Sequence, residues 1–254
     1  MSASYQLQKV GGPVSLKDKA YAAIKDAILS VRLKPGTPLV ETQLAEELGI
    51  SKTPVRAALE ELEREGFVTR ILFKGTYVTE VTVKDLVEIF QLRAVLEGLA
   101  ARIATPLFSP DELDQLDRNL AAAEAALVEG NVARCSELGK TLHDAIIDKA
   151  NSQRLALIIR NLDDHFQRFR AISDQISGRL NKSLKEHRRT LDALRRADAA
   201  AAEQAMCDHL HSVLQDLSLP EEFSSYDLSE TQEDKTNNPR IPIRAINHAD
   251  FDGL

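Results

Sequence analysis

From about Lys84 to Leu219 the sequence holds no run that reads as a β-strand, and apolar residues return every three or four positions instead. That single periodicity is the strongest constraint on the fold. So long a stretch with only helical patterning has to bury its apolar faces helix against helix, in an all-α bundle. It breaks at "TPLFSPDEL", near Gly130-Asn131 and Asn151-Ser152, at Ser177-Gly178, and near Ala197-Asp198, which predicts about six helices. "SPDEL" is a helix start: Ser109 caps, Pro110 takes the first position, and Glu112 falls where a capping box needs it.

The chain before this run is patterned differently. Leu16, Ala20, Ile24, Ala27, Ile28 and Val31 recur at helical spacing, and "LKPGTPL" ends that helix with a Pro35-Gly36 turn. A short helix follows over "ETQLAEEL", stopped by Gly49; a third carries Val55, Ala58, Leu59 and Leu62 inward and closes at Gly66. "FVTRILFKGTYVTEV", with Lys74-Gly75 at its centre, reads as a β-hairpin. Helix, helix, tight turn, helix and hairpin make a winged helix-turn-helix. The expected fold class is therefore mainly α, with a winged helix-turn-helix over 15–81 and an all-α bundle over 82–219. Residues 1–14 read as a flexible N-terminus, and 220–254, which lose periodicity, as a disordered tail.

Charge matters for which face meets a partner. The net charge of −7 argues against nucleic acid only as an average, because residues 15–80 hold ten Lys/Arg and ten Asp/Glu. Two cysteines, Cys135 and Cys207, exclude a disulfide framework and read as small apolar residues of a reducing compartment. The N-terminus lacks an apolar core of a signal peptide, and no apolar run is long enough to span a bilayer, so a soluble, cytoplasmic protein without membrane partners is expected.

"LGISKTPVRAALEEL", residues 48–62, joins a polar, cationic start to a glutamate-rich end. In a helix-turn-helix the second helix enters the major groove by its N-terminal residues. Ser51 and Thr53 offer hydroxyls there, Lys52 and Arg56 offer charge, and free N–H groups at the helix start favour a phosphate. Arg56 points away from the core face and could grip guanine or phosphate. Glu60, Glu61, Glu63 and Glu65 keep the far end off the duplex. Lys74 and Gly75 at the hairpin tip let a wing touch backbone or minor groove. An ordinary helical hairpin with solvated charges is the alternative, and the hairpin directly after the third helix weighs against it.

Three histidines fall on inward stripes of separate helices. His187 lies among Leu180, Leu184, Leu191 and Leu194; His209 lies among Ala202, Met206, Val213 and Leu217; His143 borders Leu142, Ala145, Ile146 and Ala150. One apolar-face histidine is usually a hydrogen-bonded core residue. Three aimed at a common interior point to a divalent metal, for which neutral imidazole is the commonest ligand. His165 is a possible fourth; His211 and His248 read as solvent-facing. Arg93 and Glu97 lie on the inner face of the helix that carries Leu86, Ile89 and Phe90, so Arg93 is either ion-paired within the bundle or binds an anion.

The stretch "LVETQLAEELGISKTPVRAALEELEREGFV" followed by "FKGTYV" resembles the DNA-binding domain of GntR-family bacterial transcription regulators over roughly residues 15–80. The family pattern has Arg where Lys52 stands and Glu where Ala57 stands; Lys52 keeps the charge without the bidentate fork. The resemblance implies DNA contacts by Thr42, Ser51, Lys52, Thr53, Arg56, Lys74 and Gly75. "LRAVLEGLAARIA", "LHDAIIDKANSQRL", "KEHRRTLDALRRAD" and "AMCDHL" look like the FCD ligand-binding domain of the FadR-type subfamily, over residues 82–217. It implies a divalent metal (zinc, nickel or manganese) held by His143, His187 and His209, and a small carboxylate effector beside the metal and Arg93. The family's fourth ligand is an Asp four residues before the first His, where this chain has Gly139. Asp144 cannot replace it, lying about a hundred degrees round the helix.

The implied function is a dimeric, ligand-responsive regulator of transcription on a pseudo-palindromic double-stranded operator, with affinity modulated by a small organic acid. Two other classes compete: a metal-dependent enzyme using the three histidines, which has no obvious general base nearby, and a helical protein-interaction adaptor.

Overall fold

A computed structural model describes residues 15–80 and 82–217; the segments read as a flexible N-terminus and a disordered tail, with His248, lie outside the described residues. The chain divides into two compact units, before and after residues 80–81.

The first unit packs three helices, α1 (Leu16–Leu29), α2 (Glu41–Leu48) and α3 (Lys52–Arg64), against a small antiparallel sheet. Its strands are β1 (Pro38–Leu39), β2 (Val68–Ile71) and β3 (Gly75–Val78), in the order β1-β3-β2. Ile24, Ile28, Leu39, Val55, Leu59, Leu62, Phe67 and Val78 form its core. The winged helix-turn-helix is present with one addition and one correction. The addition is Pro38, which pairs with Tyr77 in an edge strand, where a residue without an N–H is tolerated. A two-residue strand is too short to show periodicity. The hairpin tip is Phe73 rather than Lys74-Gly75, because Ile71 pairs with Gly75 and leaves Leu72, Phe73 and Lys74 as the turn. Phe73 sits there in the left-handed region at φ 63°, almost fully exposed.

The second unit holds six helices among the described residues: α4 (Val83–Ala104), α5 (Pro110–Val128), α6 (Val132–Lys149), α7 (Gln153–Gln175), α8 (Arg179–Arg195) and α9 (Ala199–Asp216). Side chains cap several of their starts. Ser109 and Glu112 form the capping box read from "SPDEL", Thr82 and Asp85 form a second, and Asn131 and Asp198 cap α6 and α9. Gly178, at φ 77°, precedes α8. α4 packs against α6, α7 and α9, so its inner face borders the middle of the bundle.

Gly98 sets how closely α4 and α9 approach. A Cβ at that position would stand 2.5 Å from Cys207 Sγ and 3.3 Å from the Glu203 carbonyl oxygen. Gly98→Ala is therefore expected to destabilise the protein by about 1–3 kcal/mol, as overpacking does. Denaturant unfolding checks this, and adding Cys207→Ala should recover much of the loss; an unchanged midpoint in the single variant would contradict the packing argument.

Candidate functional site

The groups placed at a prospective DNA surface come from the α2–α3 turn. Gly49, at φ 65°, ends α2, and the Ile50 N–H donates back to the Ala45 carbonyl at 3.0 Å, a closure that glycine favours. This turns the chain so that α3 starts at the surface. Ser51 occupies the N-cap position but its hydroxyl makes no cap bond; Lys52 and Thr53 are exposed beside it. Arg56 is exposed but not idle. Its Nη2 donates to Glu41 Oε2 at 2.7 Å and its Nε to both carboxylate oxygens at 3.1 Å. The hydrogen bond from Arg56 lowers the Glu41 carboxyl from its ordinary value. Thr42 lies half-buried in the first turn of α2, and Lys74 and Gly75 are exposed on the wing.

The rear of α3 has a task that the sequence does not reveal. Glu61 pairs with Lys17, and Glu65 accepts from Tyr21 Oη at 2.7 Å and Lys25 Nζ at 2.9 Å. These contacts dock the helix on α1. Glu61 and Glu65 thus hold that end of the helix in place.

In the second unit, α6, α8 and α9 bring His143, His187 and His209 together, all buried. His143 Nε2 lies 3.0 Å from His187 Nε2, which lies 3.2 Å from His209 Nε2, and one ligand atom from each falls within 4.8 Å of the others. His143, at the border of its apolar stripe, thus reaches the other two histidines. His165 does not belong to this group, and His211 is exposed.

Buried carboxylates decide the tautomers. Glu97 Oε2 faces His143 Nδ1 at 2.6 Å, and Glu186 Oε2 faces His209 Nδ1 at 2.8 Å. Burial would raise the Glu97 carboxyl, but the Arg93 guanidinium and then His143 outweigh it and hold it well below the usual range. Glu186 is opposed by burial in the same way, yet its bonds from His209 and Ser212 bring it down to about 2. An ionised carboxylate only accepts, so both Nδ1 atoms carry a proton, and each Nε2 presents a lone pair when its ring is neutral. Burial first, then the neighbouring imidazoles, pushes His187 far below its ordinary value, and burial brings His209 down to about 4 against the opposing hydrogen bond to Glu186.

Imidazole nitrogens that face one another need a proton or a cation between them. His187 can donate an Nε2 proton to one neighbour but cannot satisfy both fully. A divalent ion can take all three, and donors bonded to it at about 2.0–2.1 Å stand roughly 2.9–3.4 Å apart. The His143–His187 and His187–His209 separations, 3.0 and 3.2 Å, fall in that range, and the carboxylate–imidazole pairs are the outer support that metal-ligating histidines need.

Of the two expectations for Arg93 the structure shows the ion pair: Arg93 is buried and ion-paired, and it borders a cavity. Its Nε donates to Glu97 Oε1 at 2.7 Å and its Nη2 lies 3.5 Å from Asp163, with Phe90 and Phe166 against the guanidinium. Asp163 is also approached by Arg170 Nη2 at 2.6 Å and Lys140 at 3.4 Å. Asp144 is exposed and takes Lys140 at 2.6 Å, so it does not stand in for a ligand at Gly139. The cavity measures about 100 Å³ and is bordered by Arg93, Gly139, His143, His187 and His209. Sequence reasoning misses Glu186 and Arg179. Arg179, 2% exposed, ion-pairs with Glu186 and Asp216 and donates to Ser212 Oγ at 3.0 Å. The available signal is its spacing: Arg179 and Glu186 are seven residues apart on one helix face.

The FCD domain profile matches residues 88–212, and that of bacterial regulatory proteins of the gntR family matches residues 16–78. The HTH-type transcriptional regulator YdhC of Bacillus subtilis (strain 168) is 28% identical over 216 residues, 82% of this chain and 96% of its own length. The HTH-type transcriptional repressor RspR of Escherichia coli (strain K12) is 25% identical over 198 residues, 78% of this chain and 87% of that protein. Among solved structures, E. coli McbR/YncC is similar with a TM-score of 0.64 and 25% identity, covering 81% of this chain and 99% of that one. These two HTH relatives regulate transcription, so they lend no support to an enzyme built on the histidines. Among the described residues no helix is long and apolar enough to cross a membrane. The chain is a transcriptional regulator of the GntR family whose C-terminal unit is an FCD domain.

Proposed function

We propose that this regulator binds a pseudo-palindromic operator in double-stranded DNA as a homodimer in the cytoplasm, and that a small organic acid at a divalent metal in the FCD unit changes its operator affinity. Thr42, Ser51, Lys52, Thr53, Arg56, Lys74 and Gly75 meet the DNA. His143, His187 and His209 hold the metal, oriented through Glu97 and Glu186, and Arg93 faces the acid. When bound, the metal supplies a Lewis-acid anchor for an anion. The observation that carries the reading is the convergence of three buried imidazoles on one cavity wall beside a buried arginine, in a chain that also has a winged helix-turn-helix.

The effector shifts operator affinity only if it binds the two states of the protein unequally. Selection of operators from random duplexes, with and without zinc, nickel or manganese and a panel of small carboxylates, tests the whole proposal. It predicts two related half-sites about one helical turn apart, and retention that changes with at least one metal–acid pair. Enrichment of no sequence would refute the DNA half, and indifference to every pair would refute the sensor half.

Support for the dimer comes from α4, where Leu92, Val95, Leu99 and Ile103 form an exposed apolar stripe at helical spacing. Leu99→Glu should shift the sedimentation coefficient to that of a monomer and weaken operator binding with it. A dimer that persists undiminished would place the interface elsewhere.

A further inference from the structure

The tip of the β2–β3 hairpin is apolar and bare. Ile71 is 42% exposed, Leu72 78% and Phe73 97%, so three successive apolar side chains stand in solvent at the end of the wing. Phe73 also holds φ 63°, a conformation that asparagine or glycine adopts at less cost. Folding stability alone therefore argues twice against phenylalanine here, once through exposure and once through the backbone. The turn is nonetheless braced. The Lys74 N–H donates to the Ile71 carbonyl at 3.0 Å, and Tyr77 Oη donates to the Lys74 carbonyl at 3.1 Å. The ring is thus presented outward from a fixed turn, as a group that meets a partner would be.

Charge indicates which partner. Residues 66–79 contain no Asp or Glu, while Arg70 and Lys74 stand exposed on either side of the apolar triplet. The pair Arg70 makes with Glu63 is loose, at 3.9 Å. Arg70 also lies toward the start of α3. Glu41, which holds Arg56 at 2.7 Å, has its carboxyl lowered by that hydrogen bond first, against burial, and then by Arg56, Arg70 and Lys52 through charge. The three cations gather round one carboxylate, so the wing and the head of α3 share one side of the unit. A cationic frame round an apolar tip matches the minor groove of a duplex. Phosphates line both of its edges, and stacked bases lie between them.

We infer that Phe73, backed by Leu72, is an apolar wedge that enters the minor groove beside each half-site, unstacks one base step and bends the operator. This rests on the operator reading above and adds to it a position read without a base hydrogen bond. Pyrimidine–purine steps unstack most easily, so each half-site should carry TA or CA/TG at a fixed offset from the bases met by α3. Arg70 and Lys74 would grip the phosphates on either side of the wedge.

The test uses the full-length protein and the operator it selects. 2-Aminopurine placed at successive steps reports unstacking by fluorescence, and circularly permuted fragments report bending by gel mobility. The wild type is expected to brighten 2-aminopurine at one step in each half-site and to bend the DNA by about 20–90°. Phe73→Asn suits the left-handed backbone, so its thermal midpoint should not fall. It should lose the fluorescence change and most of the bend, bind the operator about tenfold more weakly and hold random duplex as before. Selection repeated with Phe73→Asn should keep the bases read by α3 and lose the pyrimidine–purine preference. Phe73→Leu, still apolar, should keep most of the bend. A straight operator in the wild-type complex overturns the wedge and leaves operator reading standing. So does a bend undiminished in Phe73→Asn; a changed sedimentation coefficient in that variant would then assign the tip to contact between copies of the protein. Selection of no sequence by the wild type overturns the operator reading as well. The wild-type measurements decide independently of how either variant folds.

Discussion

Alanine at both Lys52 and Arg56 is expected to reduce retention of the selected operator duplex by about a hundredfold or more, with the thermal midpoint of the protein unchanged. Each cation at the start of α3 can make a base-edge or phosphate contact of about 1–3 kcal/mol. Both side chains are exposed, so their loss opens no cavity and leaves no buried partner unsatisfied. The Arg56–Glu41 pair does not stand in the way. A surface ion pair of this kind contributes about 0–1 kcal/mol, less than a bidentate contact to guanine or phosphate. Binding should also become less sensitive to salt, by roughly one unit of slope for each phosphate that is no longer neutralised. Gel retention at several salt concentrations measures both quantities. Undiminished retention by the double variant would remove α3 from the interface and with it the proposed mode of operator reading.

The second large effect is expected inside the bundle. Glu97→Ala should destabilise the protein by about 3–5 kcal/mol, because it strips Arg93 of its closest partner and leaves a guanidinium buried with only the more distant Asp163. The same change frees His143 Nδ1, so divalent metal should bind about 10–100-fold more weakly. Glu97→Gln separates the two roles. Its amide oxygen can still accept from His143 but cannot neutralise Arg93, so most of the stability loss should remain while part of the metal affinity returns. Denaturant unfolding in chelator, followed by metal titration, distinguishes these. A loss under about 1 kcal/mol in Glu97→Ala would mean that Arg93 finds another anion or reaches solvent, and its place in the effector wall would need revision.

Much of this architecture is legible in residue spacing because local rules determine it. The break at "SPDEL" is a helix start on capping chemistry alone, and Ser109 and Glu112 make those bonds. The stripe Val55, Ala58, Leu59 and Leu62 is buried for the reason its period implies. Exceptions occur where local rules compete or where an element is too short to have a period. β1 is two residues long, and the hairpin turn tolerates a phenylalanine in the left-handed region that glycine chemistry would have placed two positions later.

The candidate site divides the same way. That His143, His187 and His209 face inward follows from helical periodicity, which is a property of one helix at a time. That their Nε2 atoms meet within hydrogen-bond distance depends on the packing of α6, α8 and α9, and no spacing along the chain encodes it. Glu186 shows the difference most clearly. It stands beside His187 in the chain yet braces His209 on another helix, with Arg179 and Ser212 completing the contact. Local patterning, set by backbone geometry and apolar burial, determined which residues go inside. Only the tertiary arrangement decided which buried polar groups answer one another, because hydrogen bonds and ion pairs are short-ranged and the chain brings their partners together from 22 to 46 residues away.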